Sequence, residues 1–218
     1  MTRPLSPIGV LLVVGLVGLG ARRADAHQLD EYLQAARIAA ARDHLVVELS
    51  LTPGVAVAPR ILPLVDRDGD GRISAAEIER YARRVLGDLE LSVDGTAVPL
   101  ALAHVDCPSW DEIREGTGTI RVEARTASGL AAGTHRLHFV NAHEPAMSVY
   151  LVNALVPPDP GVTIGAQRRD ALQRRVDIDV EVAHSFASAY WLLALAAAIG
   201  ALTLVRLSDH FALSGVHR

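Results

Sequence analysis

The chain has no lysine: all 21 of its basic residues are arginine, against 25 acidic residues, and its net charge is −4. No stretch concentrates positive charge, so the sequence lacks the basic face that a nucleic-acid-binding protein needs. An arginine-only basic set, in a chain rich in alanine, valine and leucine, is most simply the mark of a GC-rich bacterial genome. We therefore expect a bacterial protein with no nucleic-acid partner.

Cysteine is almost missing as well. Cys107 stands alone, which excludes an intrachain disulfide and argues against a thiolate metal site or a redox pair. We expect Cys107 to behave as a small apolar residue of the interior.

The signature motifs of common enzymes are missing too. The sequence contains no G-x-S-x-G, no H-E-x-x-H and no phosphate-binding glycine loop. The loop 104–117 holds Asp111, Glu112 and Glu115, and an anchored hydrolase using paired carboxylates there is one alternative. A solvated acidic loop is the simpler interpretation, so we expect that the protein is not an enzyme.

The N-terminus, by contrast, has all three parts of a secretory signal. Arg3 precedes an apolar run over residues 8–21, and Ala24-Asp25-Ala26 forms a small-x-small cleavage site. These features predict a signal peptide over residues 1–26, and cleavage would make His27 the first residue. Two arginines follow the apolar run, where a typical signal has none, so an uncleaved N-terminal anchor remains an alternative.

A second apolar segment lies near the C-terminus. Residues 185–205 carry no charge, and 21 helical residues extend for about 30 Å, the thickness of a bilayer's hydrocarbon core. Tyr190 and Trp191 lie near the outer end, where aromatic rings prefer the interface. The two ends together predict a single-pass bacterial membrane protein: an extracytoplasmic, periplasmic-side domain at 27–184, a transmembrane helix at 185–205 and a short cytoplasmic tail at 206–218.

The region between the ends is dominated by strand patterns. "HLVVELSLTPG" alternates Leu45, Val47, Leu49 and Leu51, and "LELSVDGTAVPLAL" predicts a hairpin that turns at "DG" and resumes with Val98, Leu100 and Leu102. "EYLQAARIAAAR" is ambiguous because alanine favours helices, but the next strand follows so closely that we predict a first hairpin. Eight or nine short strands favour a mainly β fold: an antiparallel sandwich of immunoglobulin-like type, without its disulfide.

One segment departs from the strand pattern and carries the strongest chemical signal. "DRDGDGRISAAE" alternates acidic residues around two glycines, and a calcium loop needs oxygen ligands at positions 1, 3, 5, 7, 9 and 12 with glycine at position 6. The ligands at those positions would be Asp66, Asp68, Asp70, the carbonyl of Arg72, Ser74 and Glu77. Hard oxygen donors favour Ca²⁺ over soft transition metals, so we expect a calcium site.

Helical signals flank this loop unequally. Ser74 followed by Glu77 is a capping box, and the apolar residues after it recur with helical spacing as far as Leu86. The preceding "VAPRILPLV" contains Pro59 and Pro63, so we expect only a short entering helix. The insertion therefore spans about residues 58–87.

Two resemblances add to these expectations. "DRDGDGRISAAE" resembles the EF-hand family, which implies the six calcium ligands named above. "AHQLDEYLQAARI", "LSLTPGVAV" and "EPAMSVYLVNAL" are similar to the extracytoplasmic N-terminal domain of bacterial nickel/cobalt-permease-type membrane proteins, which are associated with hydrogenase and urease accessory proteins. Only one predicted span follows here, so the resemblance implies a stand-alone relative of the accessory domain and not a transporter.

Two functions follow from these features. The first is a membrane-anchored extracytoplasmic module that binds one calcium ion for stability, weak regulation or partner contact. The second is an accessory protein that binds or delivers nickel, cobalt or copper beside a membrane permease or another envelope protein. It depends on His27, whose α-amino group and imidazole could chelate such a metal after signal cleavage. The other histidines are expected to be scattered surface or partly buried residues.

Overall fold

The computed structural model describes residues 30–184, and this part of the chain contains ten strands and three helices. The strands are β1 (Tyr32–Ala40), β2 (Leu45–Pro53), β3 (Leu89–Val93), β4 (Thr96–Ala97), β5 (Ala101–Asp106), β6 (Ile120–Arg125), β7 (Gly133–Asn141), β8 (Ser148–Ala154), β9 (Val162–Arg169) and β10 (Arg175–Val182). The helices are α1 (Ala58–Val65), α2 (Ala75–Gly87) and α3 (Trp110–Arg114).

The strands form two five-stranded sheets in the orders β5-β6-β2-β1-β8 and β4-β3-β7-β10-β9. Inward-facing residues of both sheets belong to one buried core, so the expectation of a mainly β, sandwich-like domain is confirmed. The strand pairs are antiparallel, as expected for the sandwich, with the exception of β1 and β8, which pair in parallel. A parallel pair requires a long crossover, and here the chain passes through the other sheet before it returns to β1.

The first hairpin forms as predicted. Strands β1 and β2 are antiparallel, with Ala40 opposite Leu45 at the turn and Tyr32 opposite Pro53 at the far end. The alanines of β1 favour a helix by propensity, but alternate residues of the strand are buried and it pairs on both sides. Packing on the core therefore decides the conformation of this segment.

The second hairpin is shorter than predicted. Asp94 and Gly95 both have positive φ, which suits the tight turn between β3 and β4. The Val98 N–H still donates to the Leu91 carbonyl at 2.8 Å, but Pro99 has no N–H to continue the ladder. The chain then crosses to the other sheet, where β5 pairs with β6, so the predicted continuation of the hairpin strand through Leu102 is wrong.

The helical segment lies between β2 and β3, as predicted. α2 begins after Ser74, whose hydroxyl and the Glu77 carboxylate form the predicted capping box. α1 has eight residues, with Pro59 in its first turn and Pro63 inside. Both helices bury one apolar face in the core, so the sandwich fixes the two ends of the loop between them.

The helix pair and the end of β10 lie at opposite ends of the sandwich. β3, which follows α2, pairs at its start with the last residue of β7, whereas Val182 pairs with the first residue of β7. Eight residues of strand β10 extend for about 26 Å. The C-terminal end of α2 therefore lies about one strand length from the end of β10.

The predicted signal peptide, His27, the predicted span and the tail lie outside the described residues. Within residues 30–184, none of the three helices has the length and apolar character that a membrane crossing requires.

Candidate metal centre

Three carboxylates meet in the loop between α1 and α2. Asp66, Asp68 and Asp70 each offer an oxygen, and these oxygens lie within 4.8 Å of one another. Asp66 is only 5% exposed, whereas the other two side chains face solvent. The cluster could therefore hold a metal ion between one buried carboxylate and two exposed ones.

The backbone of the loop orients these carboxylates. The N–H groups of Gly69 and Gly71 donate to the two Asp66 carboxylate oxygens at 2.8 and 3.1 Å. Both glycines have positive φ, +73° and +78°, a conformation that is costly for other residues. The N–H of Asp70 donates to Asp68 Oδ1 at 3.2 Å, and the N–H of Arg72 donates to Asp70 Oδ1 at 2.8 Å.

Glu77 links the two ends of the loop. Its Oε1 accepts from the N–H of Arg67 at 2.8 Å, and its Oε2 accepts from the N–H and the hydroxyl of Ser74 at 3.0 and 2.7 Å. The Ser74 N–H, then the Ser74 hydroxyl and the Arg67 N–H, lower the pKa of Glu77 to about 2. Glu77 is thus a buried carboxylate, 6% exposed, whose negative charge is held by hydrogen bonds.

The structure divides the sequence-predicted ligands into two groups. It brings Asp66, Asp68 and Asp70 together, while Glu77 lies at the closing end of the loop with both oxygens already hydrogen-bonded. Arg72 and Ser74 are exposed beside them. Every side-chain donor of the set is an oxygen, and hard oxygen sets suit Ca²⁺ or Mg²⁺.

The three loop aspartates have no ion-pair partner in the described part of the chain. None of the ion pairs formed within residues 30–184 involves Asp66, Asp68 or Asp70. Three like charges so close together repel one another, and a bound cation would remove that repulsion.

A buried polar network beneath α2 was missed by the sequence analysis. The hydroxyls of Tyr32 and Tyr81 are 2.6 Å apart, Tyr81 Oη is 3.0 Å from His143 Nε2, and His143 Nδ1 is 2.7 Å from Asp88 Oδ2. His143 is fully buried, and burial lowers its pKa. A neutral ring that donates from Nδ1 to the Asp88 carboxylate and accepts at Nε2 from Tyr81 satisfies these contacts.

The same network extends into the sandwich. The Gln34 amide donates to the His143 carbonyl at 2.9 Å, and Asn141 donates to Gln34 at 2.8 Å. Tyr150 also donates to the His143 carbonyl, at 2.8 Å. These contacts tie α2, through Tyr81, to strands β1, β7 and β8. The expectation that His143 is a scattered, at most partly buried residue is wrong.

The acidic loop 104–117 has structural partners for its carboxylates. Glu112 accepts from the N–H and hydroxyl of Ser109 as a capping box for α3, and these bonds lower the pKa of Glu112. Asp111 pairs with Arg114 at 2.9 Å, and Arg114 also lies 5.4 Å from the centre of the Trp110 ring. The arrangement is that of a capped helical turn.

Two of the other histidines lie next to aspartates. His135 lies 2.8 Å from Asp94 and His138 lies 2.7 Å from Asp177. Cys107 is half-buried, and burial raises the pKa of its thiol to about 12, which disfavours the thiolate form.

No family model, no curated protein and no solved structure matches this chain.

Proposed function

We propose that this chain is a membrane-anchored, extracytoplasmic calcium-binding module in which an EF-hand-like loop holds one Ca²⁺ and stabilises the domain. The observation that carries the proposal is the approach of the Asp66, Asp68 and Asp70 oxygens to within 4.8 Å of one another. The glycine-bearing loop between two packed helices supports it further.

The ligand set of the proposed site consists of six residues. Arg72 would contribute its carbonyl and Ser74 its hydroxyl. The four carboxylates would come from Asp66, Asp68, Asp70 and Glu77. Calcium accepts six to eight oxygen ligands in flexible geometry, whereas magnesium requires a tight octahedron and keeps several waters. Most donors of this loop are exposed, which suits the more flexible coordination geometry of calcium. For an extracytoplasmic module the expected Kd is about 0.1–1 mM.

A structural role is supported by the way in which the loop is attached. Its two ends are continuous with α1 and α2, whose apolar faces belong to the same core as the sheets. A cation that removes the repulsion among the aspartates would therefore stabilise the helix pair and the sandwich together.

The membrane anchor rests on the sequence of residues 185–205. The described domain supports its position, because β10 ends at Val182 and the apolar segment follows within three residues. The end of α2 would then lie on the side of the domain away from the membrane. The proposal includes an immunoglobulin-like strand arrangement, which we infer from the strand patterns of the sequence. It also includes a permease partner, which we infer from the sequence resemblance.

The transition-metal alternative depends on His27. Within residues 30–184, the aspartate cluster is the only group of three or more potential metal-binding side chains, and it contains neither nitrogen nor sulfur. The described domain therefore gives more support to calcium than to nickel, cobalt or copper.

Calorimetric titration of the full chain, purified in a mild detergent, tests the proposal. We expect one-site Ca²⁺ binding that is lost in Asp66→Asn and retained in Asp111→Asn, which removes an equal charge from the α3 turn. Absence of calcium binding by the native chain, together with tight Ni²⁺ or Cu²⁺ binding, would overturn the calcium assignment and favour the alternative.

A further inference from the structure

A groove lined by arginine side chains runs along the outer surface of the helix pair. It has a volume of about 250 Å³ and is lined by Pro63, Leu64, Arg67, Arg80, Tyr81 and Arg84. Tyr81 is fully buried, so Pro63 and the partly buried Leu64 supply the accessible apolar surface. The three arginines are exposed around them. The groove thus combines an apolar floor with a positively charged rim.

Two of these arginines lack an acidic partner in the described part of the chain. Arg84 pairs with Glu144 at 2.7 Å, but neither Arg67 nor Arg80 takes part in an ion pair formed within residues 30–184. The whole chain has a net charge of −4. A local excess of unpaired guanidinium groups on an acidic protein is complementary to a negatively charged partner.

The groove adjoins the acidic loop. A second depression of about 400 Å³ is lined by Arg67, Asp68, Ser74, Glu77 and Arg80, so the two arginines belong to both surfaces. In the absence of a cation, the loop carboxylates oppose the approach of an anion. A bound Ca²⁺ would cancel two of their negative charges beside the same arginines.

We propose that this arginine groove docks an acidic peptide segment of a partner protein, with carboxylates on Arg67 and Arg80 and an apolar side chain on Pro63 and Leu64. The calcium dependence of this docking rests on the proposed function: Ca²⁺ in the loop strengthens peptide binding, and by thermodynamic reciprocity the peptide strengthens Ca²⁺ binding by the same factor.

A protein segment fits this surface better than a lipid surface does. The groove is concave and has room for one or two side chains, whereas a bilayer presents a broad face. It also lies at the end of the sandwich opposite Ala183, whose carbonyl accepts from Arg42 in the turn between β1 and β2. His184, the last described residue, follows Ala183 at that opposite end. The groove of a domain anchored through residues 185–205, as proposed above, would therefore face away from its own membrane.

Fluorescence anisotropy with a labelled ten-residue peptide of alternating glutamate and leucine tests the proposal. The protein is the full chain in a mild detergent, with either a calcium chelator or saturating Ca²⁺. We expect saturable binding that weakens with added salt and tightens about fivefold with calcium. A peptide with glutamine in place of glutamate should not bind.

The variants Arg80→Gln and Arg83→Gln form a matched pair on α2. Arg80 lines the groove, whereas Arg83 lies three residues further along, is exposed and pairs with Glu79. We expect Arg80→Gln to weaken peptide binding about fivefold, the upper range for one exposed ion pair. We expect Arg83→Gln to leave the binding unchanged, since it removes the same charge outside the groove.

The outcomes separate the two proposals. No peptide binding by a chain that binds calcium overturns the docking groove and leaves the calcium site standing. Arg80-dependent peptide binding by a chain that binds no calcium supports the groove and overturns the calcium site. An equal loss of peptide affinity in Arg80→Gln and Arg83→Gln overturns the groove. So does Arg80-dependent binding to phosphatidylglycerol vesicles that is tighter than binding to the peptide.

Discussion

At the scale of single residues, the acidic loop depends on two glycines with left-handed backbone conformations. Gly69 and Gly71 turn their N–H groups toward Asp66, and nothing lies within 4 Å of the position that a Cβ would occupy at either residue. A side chain there would meet no neighbour, so the whole cost of a substitution would come from backbone strain. Backbone strain and steric conflict can therefore be separated at these positions.

Gly71→Ala should destabilise the domain by about 1–2 kcal/mol, because a left-handed conformation imposes that cost on a residue with a Cβ. It should also weaken calcium binding, since the N–H of Gly71 orients Asp66. Gly87→Ala is the control: Gly87 is helical and also has open space around it, so this change should be neutral or stabilising. Urea unfolding of both variants in chelator measures the difference, and equal destabilisation would contradict the account.

Residue-level signals also explain why the loop could be predicted from the sequence. The alternating aspartates, the two glycines, Ser74 and Glu77 all lie within twelve consecutive positions. The contacts that order them are made between near neighbours in the chain. His143 had no such signal, because its partners Tyr81 and Asp88 are 62 and 55 positions away.

At the scale of secondary-structure elements, the start of α2 serves both the helix and the acidic loop. The same Ser74–Glu77 pair that caps the helix holds the closing end of the loop. The chain provides an internal comparison, because Ser109 and Glu112 form the same capping box on α3, away from the aspartates.

Ser74→Ala and Ser109→Ala should each cost about 1 kcal/mol of stability, the usual effect of losing a serine N-cap. Only Ser74→Ala should also lower calcium affinity, because the loop loses the proposed Ser74 ligand and Glu77 loses the hydroxyl that holds it. Chelator-treated samples give the stabilities by urea unfolding, and calorimetry gives the affinities. Equal calcium affinity in the two variants would show that the cap and the metal site are independent.

Secondary structure was predictable where local patterns decide it. The helix α2, the first hairpin and the Asp94-Gly95 turn follow from capping, alternation and turn chemistry. The switch of β5 to the other sheet and the parallel pairing of β1 with β8 do not follow, since they depend on contacts between segments that are distant in the sequence. Tyr32 and Ser148, opposite each other in that pair, carry no local sign of their pairing.

At the scale of the whole molecule, two histidines should act on stability in opposite directions as the pH changes. Burial lowers the pKa of His143, although Asp88 partly offsets this, with Glu144 and Arg84 as the other charged groups nearby. A hydrogen bond to Asp94 raises the pKa of His135. As pH falls below about 6.5, the usual histidine pKa, the unfolded chain gains a proton at position 143 before the folded chain does.

His143 should therefore reduce stability as pH falls from 7 to 5, whereas His135 contributes stability at low pH that is lost as pH rises through its raised pKa. His143→Gln should cost about 1–3 kcal/mol at pH 8 by disturbing buried hydrogen bonds, and should flatten the decline of stability toward pH 5. His135→Gln should make that decline steeper. Urea unfolding at pH 5, 6, 7 and 8 checks both slopes, and the same slope in both variants would refute the assignments.

The central claim is that calcium bound at the aspartate loop stabilises the entire domain, and unfolding of the full chain with and without calcium tests it most directly. At 10 mM Ca²⁺ and a Kd of about 0.1–1 mM, the free energy of unfolding should rise by about 1.4–2.7 kcal/mol over that in chelator. Asp66→Asn should abolish this rise, and Asp111→Asn should preserve it. An unfolding free energy that does not respond to calcium, or an unchanged rise in Asp66→Asn, would contradict the account.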